Sequence, residues 1–388
     1  MKIGIEGQRL FRLKKHGMDM VALELIRNLQ IIDQENEYFI FVKPDSDSGC
    51  LQPTDNFHII ELNGGPYPWW EQVALPRAAL KYGCELLHCT SNTAPAKTSV
   101  PLIVTLHDII YLESISLLKK GGTWYQKIGN MYRRFVVPRV VANSTRIITV
   151  SHFEKNRIRE FFGFPPADPR LVAIYNGVGE HFKPVSDEQE RERIRNKYKL
   201  PEDYFFFLGN TDPKKNTKGV LKAFSDYLKS GNSPVKLVML DYERSALDLL
   251  LTEIGDRELI NHIHLTGYVV NTDLPAIYSM SRLFLYPSLR ESFGIPMLEA
   301  MRCGVPVITS DTSSMPEVSG NAALIVNPYN SEEITSGMIR LMKEPDLRND
   351  LIQKGFGQSE KFSWNSMAKE VLQLYQELAS IKDVAPKK

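Results

Sequence analysis

Two carboxylates stand eight positions apart in the stretch Glu291-Ser292-Phe293-Gly294-Ile295-Pro296-Met297-Leu298-Glu299. The stretch lies between two apolar runs, Leu283 to Tyr286, closed by Pro287, and the β-branched run Val305 to Thr309, and each run predicts a buried strand. Pro296 suits the first turn of a helix that runs to about Cys303 and stops at Gly304. Glu291 is then expected in the loop after a strand, and Glu299 in the first turn of the following helix. Open parallel sheets bind ligands at the carboxyl ends of their strands. Helix starts in that position attract anions through free N–H groups and the helix dipole. A phosphate at this helix start, with a carboxylate on either side to accept sugar hydroxyls, describes a nucleotide-sugar site. The plain alternative is a strand–loop–helix unit with two solvated glutamates.

Other segments carry complementary chemistry. Gly209-Asn210-Thr211-Asp212-Pro213-Lys214-Lys215-Asn216 follows the apolar run Tyr204 to Leu208 and opens a helix near Thr217. A turn of small and polar residues with two ammonium groups could cradle a diphosphate; it could also be a solvated basic turn. His107 and Asp108 close the run Leu102 to Leu106, where an imidazole could serve a ligand or satisfy the core. Gly17 lies between the first strand and an amphipathic helix, in a loop with Glu6, Gln8, Arg9, Lys14, Lys15 and Asp19. Ser151 reads as a helix N-cap, and Gly267-Tyr268-Val269 as a turn after His262 to Thr266. No G-x-G-x-x-G follows any strand, which excludes a dinucleotide fingerprint. Asp45-Ser46-Asp47 has the D-x-D spacing of metal-dependent transferases of another fold, but Pro44, Ser48 and Gly49 make it a surface turn. No metal is expected.

The elements that must position these groups follow an α/β pattern of short apolar runs alternating with longer amphipathic stretches. In the first half the runs are Lys2–Glu6, Tyr38–Val42, His58–Leu62, Leu86–Cys89, Leu102–Leu106, Arg146–Val150 and Leu171–Ile174. In the second half they are Tyr204–Leu208, Lys236–Leu240, His262–Thr266, Leu283–Tyr286, Val305–Thr309 and Ala322–Val326. Asn176 to Lys183 reads as a hinge, giving an N-terminal domain of residues 1–183 and a C-terminal domain of 184–363. After Phe362-Ser363-Trp364-Asn365, the residues Met367, Val371, Leu372, Leu374, Tyr375 and Leu378 form one apolar helix face, giving a last helix over about 364–380.

Composition narrows the function further. The 388 residues are 43% hydrophobic and carry a net charge of +1, enough for two sizeable cores and no broad electrostatic attraction for nucleic acid. The four cysteines form no C-x-x-C pair, which suits a reduced cytoplasmic protein. Met1 to Glu6 reads as a first strand and not as a signal peptide, and no apolar run reaches the length of a membrane span. Residues 115–159 carry Lys119, Lys120, Lys127, Arg133, Arg134, Arg139, Arg146, Lys155, Arg157 and Arg159 against Glu154 alone, interleaved with Trp124, Tyr125, Tyr132 and Phe135. This is either a solvated basic face or a surface for anionic lipid.

The stretch around Glu291 and Glu299 resembles the E-x7-E signature of family-4 glycosyltransferases, retaining enzymes of GT-B fold. Phe293, Gly294, Pro296, Leu298, Ala300, Met301, Gly304, Pro306 and Val307 also match; Ser292 stands where glycine is usual and Arg302 where a small residue is usual. The resemblance implies two doubly wound, Rossmann-like parallel-sheet domains facing across a cleft, with the last helix crossing back to the N-terminal domain. It implies acceptor binding by the N-terminal domain and sugar-nucleotide binding by the C-terminal one. Glu291, with His107 and Asp108, would then act at the transferred sugar. Lys214 and Lys215 would neutralise the diphosphate and Glu299 would hold the ribose. Gly17, Gly267, Tyr268, Val269, Ser292, Phe293, Gly294 and Leu298 would line the donor. Asp19 stands where a second glycine is frequent, and Asn210 where an arginine is. No cofactor is implied, since the sugar nucleotide is a substrate. The Leu106-His107-Asp108-Ile109-Ile110 and Asp212-Pro213-Lys214-Lys215-Asn216 pieces resemble bacterial mannosyltransferases of cell-surface polysaccharide synthesis. GDP-mannose is therefore the expected donor and a glycan or lipid-linked glycan the expected acceptor. The expected location is the cytoplasm, with a peripheral contact on the inner membrane through 115–159. A UDP-hexose donor and a non-catalytic sugar-nucleotide-binding subunit are the alternatives.

Overall fold

The computed structural model describes residues 1–113, 124–232 and 234–384. The chain forms two compact units, Met1–Gly177 with Trp364–Lys388, and Val178–Ser363.

The first unit contains the strands β1 (Lys2–Gly7), β2 (Glu37–Val42), β3 (Phe57–Glu61), β4 (Leu86–Cys89), β5 (Leu102–Leu106), β6 (Arg146–Thr149) and β7 (Leu171–Ala173). They make one sheet in the order β3-β2-β1-β4-β5-β6-β7, parallel throughout. Sheets of this kind are covered on both faces, so their strands read as unbroken apolar runs rather than alternating ones. Ile3, Ile5, Ile40, Phe41, Leu87 and Val104 accordingly have no exposed surface. The strand order reverses between β1 and β4, which makes their carboxyl ends the topological switch point.

The last helix, Trp364–Val384, belongs to this unit. Met367, Ala368, Val371, Leu374, Tyr375 and Leu378 are buried at helical spacing, while Leu372 of the expected face is only half-buried. The helix packs along Gly17–Ile32. The Tyr375 hydroxyl lies 2.6 Å from His88 Nδ1, and His88 Nε2 lies 2.8 Å from the Thr105 hydroxyl. This bridge ties the helix to β4 and β5. Burial pushes the His88 imidazole down to about 3, with the neighbouring His107 adding to the effect, so it is neutral.

The second unit contains β8 (Tyr204–Phe207), β9 (Lys236–Met239), β10 (Ile263–Leu265), β11 (Leu283–Tyr286), β12 (Val307–Ser310) and β13 (Leu324–Val326). Their order is β10-β9-β8-β11-β12-β13, again all parallel. The switch point here falls between β8 and β11. Alternate side chains of β8 serve opposite faces. Phe205 packs against Phe224 and Tyr227 of the helix Thr217–Lys229. Phe206 packs against Tyr278 and Phe284, and Phe284 stacks on Tyr286. The second face thus carries a cluster of four rings, two of them the tyrosines Tyr278 and Tyr286, the latter closing β11 at its carboxyl end.

Candidate functional site

The hydroxyls of these two tyrosines hold the two glutamates. Tyr278 donates to Glu299 Oε2 at 3.0 Å. Tyr286 accepts from Lys215 Nζ at 3.2 Å, and its hydroxyl is hydrogen-bonded to Glu291. Lys215 Nζ also donates to Glu291 Oε1 at 2.6 Å, with side chains only 17% and 11% exposed. Burial first, then the negative charge of Glu291, keep the Tyr286 hydroxyl far above its ordinary titration range, so it remains a neutral group. Lys215 comes from the loop after β8 and Glu291 from the loop after β11, the two strands that flank the switch point. The backbone bond from Leu289 N to Lys214 O, at 2.7 Å, joins the two loops directly.

The loops are held from several sides. Asn216, in left-handed backbone at φ 58, donates to Pro287 O at 3.0 Å and to Pro328 O at 2.7 Å. Asp212 accepts from Lys214 N at 3.1 Å and sets the turn that aims Lys215. From the loop after β12, the Ser313 hydroxyl accepts from Glu291 N at 3.1 Å, and the Ser314 hydroxyl donates to Glu291 O at 3.0 Å. Gly294 caps the helix Ile295–Arg302 at φ 97, a conformation open to glycine, and an added Cβ would lie 2.4 Å from Met315 Cε. Because the cap sits at Gly294, Glu299 is the fifth helical residue. It therefore lies in the second turn and not, as expected, in the first. Burial raises its carboxyl to about 7, against the lowering effect of the Tyr278 hydroxyl.

The remaining donor candidates of this unit fall into two groups. Lys214, Ser292, Gly267 and Tyr268 lie at the carboxyl edge, Tyr268 with 56% of its surface exposed, and Gly267 adopts φ 69. Leu298 is fully buried, and Phe293 and Val269 nearly so. Phe293 packs edge-on against Phe362. These three side chains belong to the core, and only their backbone is available to a ligand.

In the first unit, Gly17 is the exposed first residue of its helix, with open space where a Cβ would stand. His107 N donates to Asn92 Oδ1 at 2.6 Å, and its Nε2 lies 3.0 Å from Thr90 O. Burial pushes the imidazole below its usual range, although Thr90 and Asp108 pull the other way. A neutral ring whose Nε2 hydrogen faces a carbonyl keeps Nδ1 as an acceptor. Asp108 Oδ1 accepts from Ile110 N at 3.2 Å and so starts a short helical turn. Asp47, from the D-x-D turn, pairs with Lys15.

Of the basic segment, Lys119 and Lys120 lie outside the described residues, as do the side chains of Trp124, Tyr125 and Lys127. Arg134 donates to Tyr111 O and Arg157 pairs with Glu113. Met131 and Phe135 are 68% and 62% exposed, one helical turn apart, with the Arg139 guanidinium over the Phe135 ring. Among the described residues no helix is long and apolar enough to cross a membrane.

Tyr278, Tyr286, Ser313 and Ser314 escaped the sequence reading as parts of the site, whereas Asn216 closes the basic turn already singled out there. The signal for the serines was present in Asp311-Thr312-Ser313-Ser314, a polar run following a strand. The tyrosines sit inside apolar stretches and read as core.

Comparisons with known proteins agree with this architecture. Residues 16–181 match the family model Glycosyltransferase Family 4, and residues 188–358 match Glycosyl transferases group 1. O-antigen chain mannosyltransferase B of Escherichia coli is 34% identical over 232 residues, which cover 59% of this chain and 60% of that protein. O-antigen chain mannosyltransferase RfbU of Salmonella typhimurium is 28% identical, over 72% of this chain and 70% of that one. The match spans only a quarter of the E. coli mannosyltransferase WbdA. Among solved structures, sucrose-phosphate synthase of Thermosynechococcus elongatus superposes with a TM-score of 0.76 at 19% identity, covering 98% of this chain and 99% of that one. Anabaena HepE, solved in complex with UDP, gives 0.72 at 16% identity, covering 97% and 100%. With one glycosyltransferase model matched in each half and two parallel doubly wound sheets beneath them, the chain belongs to the family-4 glycosyltransferases of GT-B fold.

Proposed function

We propose that this glycosyltransferase moves mannose from GDP-mannose, with retention at the anomeric carbon, onto a glycan or lipid-linked glycan. The Lys215–Glu291 pair at 2.6 Å is the observation that carries the reading. It sets a fixed cation and a carboxylate side by side at the switch point, where a leaving diphosphate and a sugar must be served together. Lys215, with Lys214, takes the diphosphate, and the preorganised charge needs little rearrangement as the leaving group develops its own. Glu291 accepts hydroxyls of the donor sugar and favours positive charge at its reacting carbon. Glu299 receives the ribose, and the backbone of Gly267 to Val269 the base. The neutral His107 of the first unit, with Asp108 beside it, accepts a sugar hydroxyl hydrogen through Nδ1. The similarity to O-antigen mannosyltransferases supports mannose as the sugar. The location proposed is the cytoplasm, at the inner face of the membrane, with the basic segment on anionic lipid.

Calorimetry with GDP, UDP and ADP, followed by product analysis with the matching sugar nucleotide, tests the donor. GDP should bind most tightly, and the mannoside formed should keep the donor's anomeric configuration. Preference for UDP would transfer the reading to a UDP-hexose. Tight binding with no turnover by any acceptor would point to a non-catalytic subunit. Salt-sensitive binding to phosphatidylglycerol vesicles checks the membrane contact, because exposed charges are screened over about 8 Å at physiological salt.

A further inference from the structure

Both anchors of His107 come from the loop after β4. Its Nε2 lies 3.0 Å from Thr90 O, and its backbone N donates to Asn92 Oδ1 at 2.6 Å. The ring is neutral, since burial outweighs the pull of Thr90 and Asp108. A neutral imidazole can carry its hydrogen on either nitrogen, and its partner decides which. A carbonyl only accepts, so Thr90 O keeps the hydrogen on Nε2. The conformation of this loop therefore selects the tautomer of His107 and the direction of its ring.

The loop is held in a demanding shape. Asn92 adopts left-handed backbone at φ 65, which a residue other than glycine keeps only where its surroundings impose it. On one side, Thr105 O accepts from Asn92 N at 3.1 Å. On the other stands Glu71, which is 1% exposed. Its Oε1 accepts from the Thr93 hydroxyl and from Tyr67 at 2.7 Å, and its Oε2 from the Tyr132 hydroxyl and from Gln72 Nε2 at 2.9 Å. Both oxygens thus act as acceptors, and one of them grips the residue next to Asn92. Gln72 holds the same loop further on, accepting from Ala96 N at 2.8 Å and donating to Ala94 O at 2.9 Å. Successive side chains of an α-helix point about 100° apart. Glu71 and Gln72 lie instead on the π-helical turn Trp70–Ala74, whose wider winding lets neighbours clamp one loop, a geometry common at functional sites.

We propose that Glu71 is a positioning residue for glycosyl transfer: through Thr93 it fixes the loop that sets the tautomer and direction of the His107 imidazole, leaving Nδ1 as the acceptor offered to the sugar. This rests on His107 acting at the transferred sugar, as proposed above. Glu71 is itself enclosed and acts only through the loop. Its effect belongs to turnover, because misplacing a reacting group by about 1 Å can cost on the order of a hundredfold in rate. The donor contacts proposed for the second unit do not depend on it.

The test combines nitrogen NMR of the full chain, isotope-labelled at histidine, with steady-state kinetics on GDP-mannose and mannobiose. The ring nitrogens of the two neutral tautomers resonate apart, and the His107 signals are those missing from His107→Gln. Wild type should show the form with hydrogen on Nε2. Glu71→Gln keeps the shape and turns one acceptor oxygen into an amide that donates, while Thr93→Val removes the linking hydroxyl from a side chain of nearly equal shape. Each should mix the His107 tautomers and lower kcat about tenfold or more, with donor KM and GDP affinity within about twofold of wild type. Thr93→Ser keeps the hydroxyl and should restore both readouts. A merely structural role would lower stability and leave the tautomer and kcat of the folded protein as they are. If Glu71→Gln fails to fold, the two Thr93 variants decide. A wild-type tautomer in Thr93→Val overturns the proposal, whether or not mannobiose serves as acceptor. So does a kcat that falls in His107→Ala and keeps its wild-type value in Thr93→Val. An altered tautomer in Glu71→Gln, with full turnover in that variant and in His107→Ala, would instead sink the role of His107 at the sugar and leave the hold of Glu71 on it standing.

Discussion

With side chains only 17% and 11% exposed, Lys215 and Glu291 each depend on the other for charge compensation. Removing one leaves an uncompensated charge in a partly desolvated place, whereas removing both leaves none. Lys215→Met should lower unfolding stability by about 1–3 kcal/mol and abolish diphosphate binding. The double variant Lys215→Met with Glu291→Gln should recover most of that stability and none of the binding. Denaturant unfolding beside GDP calorimetry checks the pair; additive stability losses would mean that the two groups do not interact. Glu299 gives a pH signature. Burial holds its carboxyl near 7, so its neutral form is favoured, and the stability it contributes is present below about 4.5 and lost as pH rises through 7. Ribose hydroxyls donate best to the ionised form, and about a tenth of the protein carries that form at pH 6 against nine-tenths at pH 8. GDP affinity should therefore rise up to about tenfold between pH 6 and pH 8, beyond any change seen in Glu299→Gln. Equal pH profiles in the two proteins would remove Glu299 from the ribose. Both glutamates were legible in the sequence because a strand, a proline and a glycine bracket them at fixed offsets. Tyr278 and Tyr286 were not, because a ring inside an apolar run looks the same whether or not its hydroxyl holds a carboxylate.

At the scale of elements the apolar runs mark every strand of both sheets, since parallel strands covered on both faces leave no polar alternation to confuse the reading. The ends are less legible. Val305 and Pro306 precede β12 rather than opening it, and a β-branched residue does not reveal whether its backbone joins the ladder. Helix starts were harder still, because Glu299's place depended on which residue took the left-handed cap. The last helix was visible as an apolar face, but its polar anchor was not. His88 and Tyr375 are separated by 287 positions and meet only in the folded chain. Tyr375→Phe would leave a buried imidazole nitrogen without its partner, and should cost about 1–3 kcal/mol. Both His88 and His107 have imidazoles depressed by burial, so the stability they provide is present above about 6.5 and lost as pH falls below it. Equilibrium unfolding of wild type and Tyr375→Phe at pH 7 measures the loss, and a change below 0.5 kcal/mol would mean the bridge is not formed.

For the whole molecule, the two units differ in how the chain composes them. Val178–Ser363 is one continuous stretch, while the other unit needs both Met1–Gly177 and Trp364–Lys388. A fragment spanning 178–363 should fold alone and retain nucleotide binding, read out by a cooperative unfolding transition and GDP calorimetry. A fragment ending at 177 should not show cooperative unfolding unless a peptide of residues 364–384 is supplied. Cooperative unfolding of the shorter fragment by itself would show the last helix to be dispensable. The same discontinuity fixes an order of events during synthesis. Residues 1–177 leave the ribosome before the helix that covers Gly17–Ile32, and they wait for it until residues 178–363 have also been made. The second half completes its core earlier. At elongation rates of about 5–20 residues per second, the amino-terminal sheet spends on the order of ten seconds or more with that surface uncovered. A truncation before Trp364 would leave Val178–Ser363 whole and strand the other unit in that state, open to chaperones and proteases.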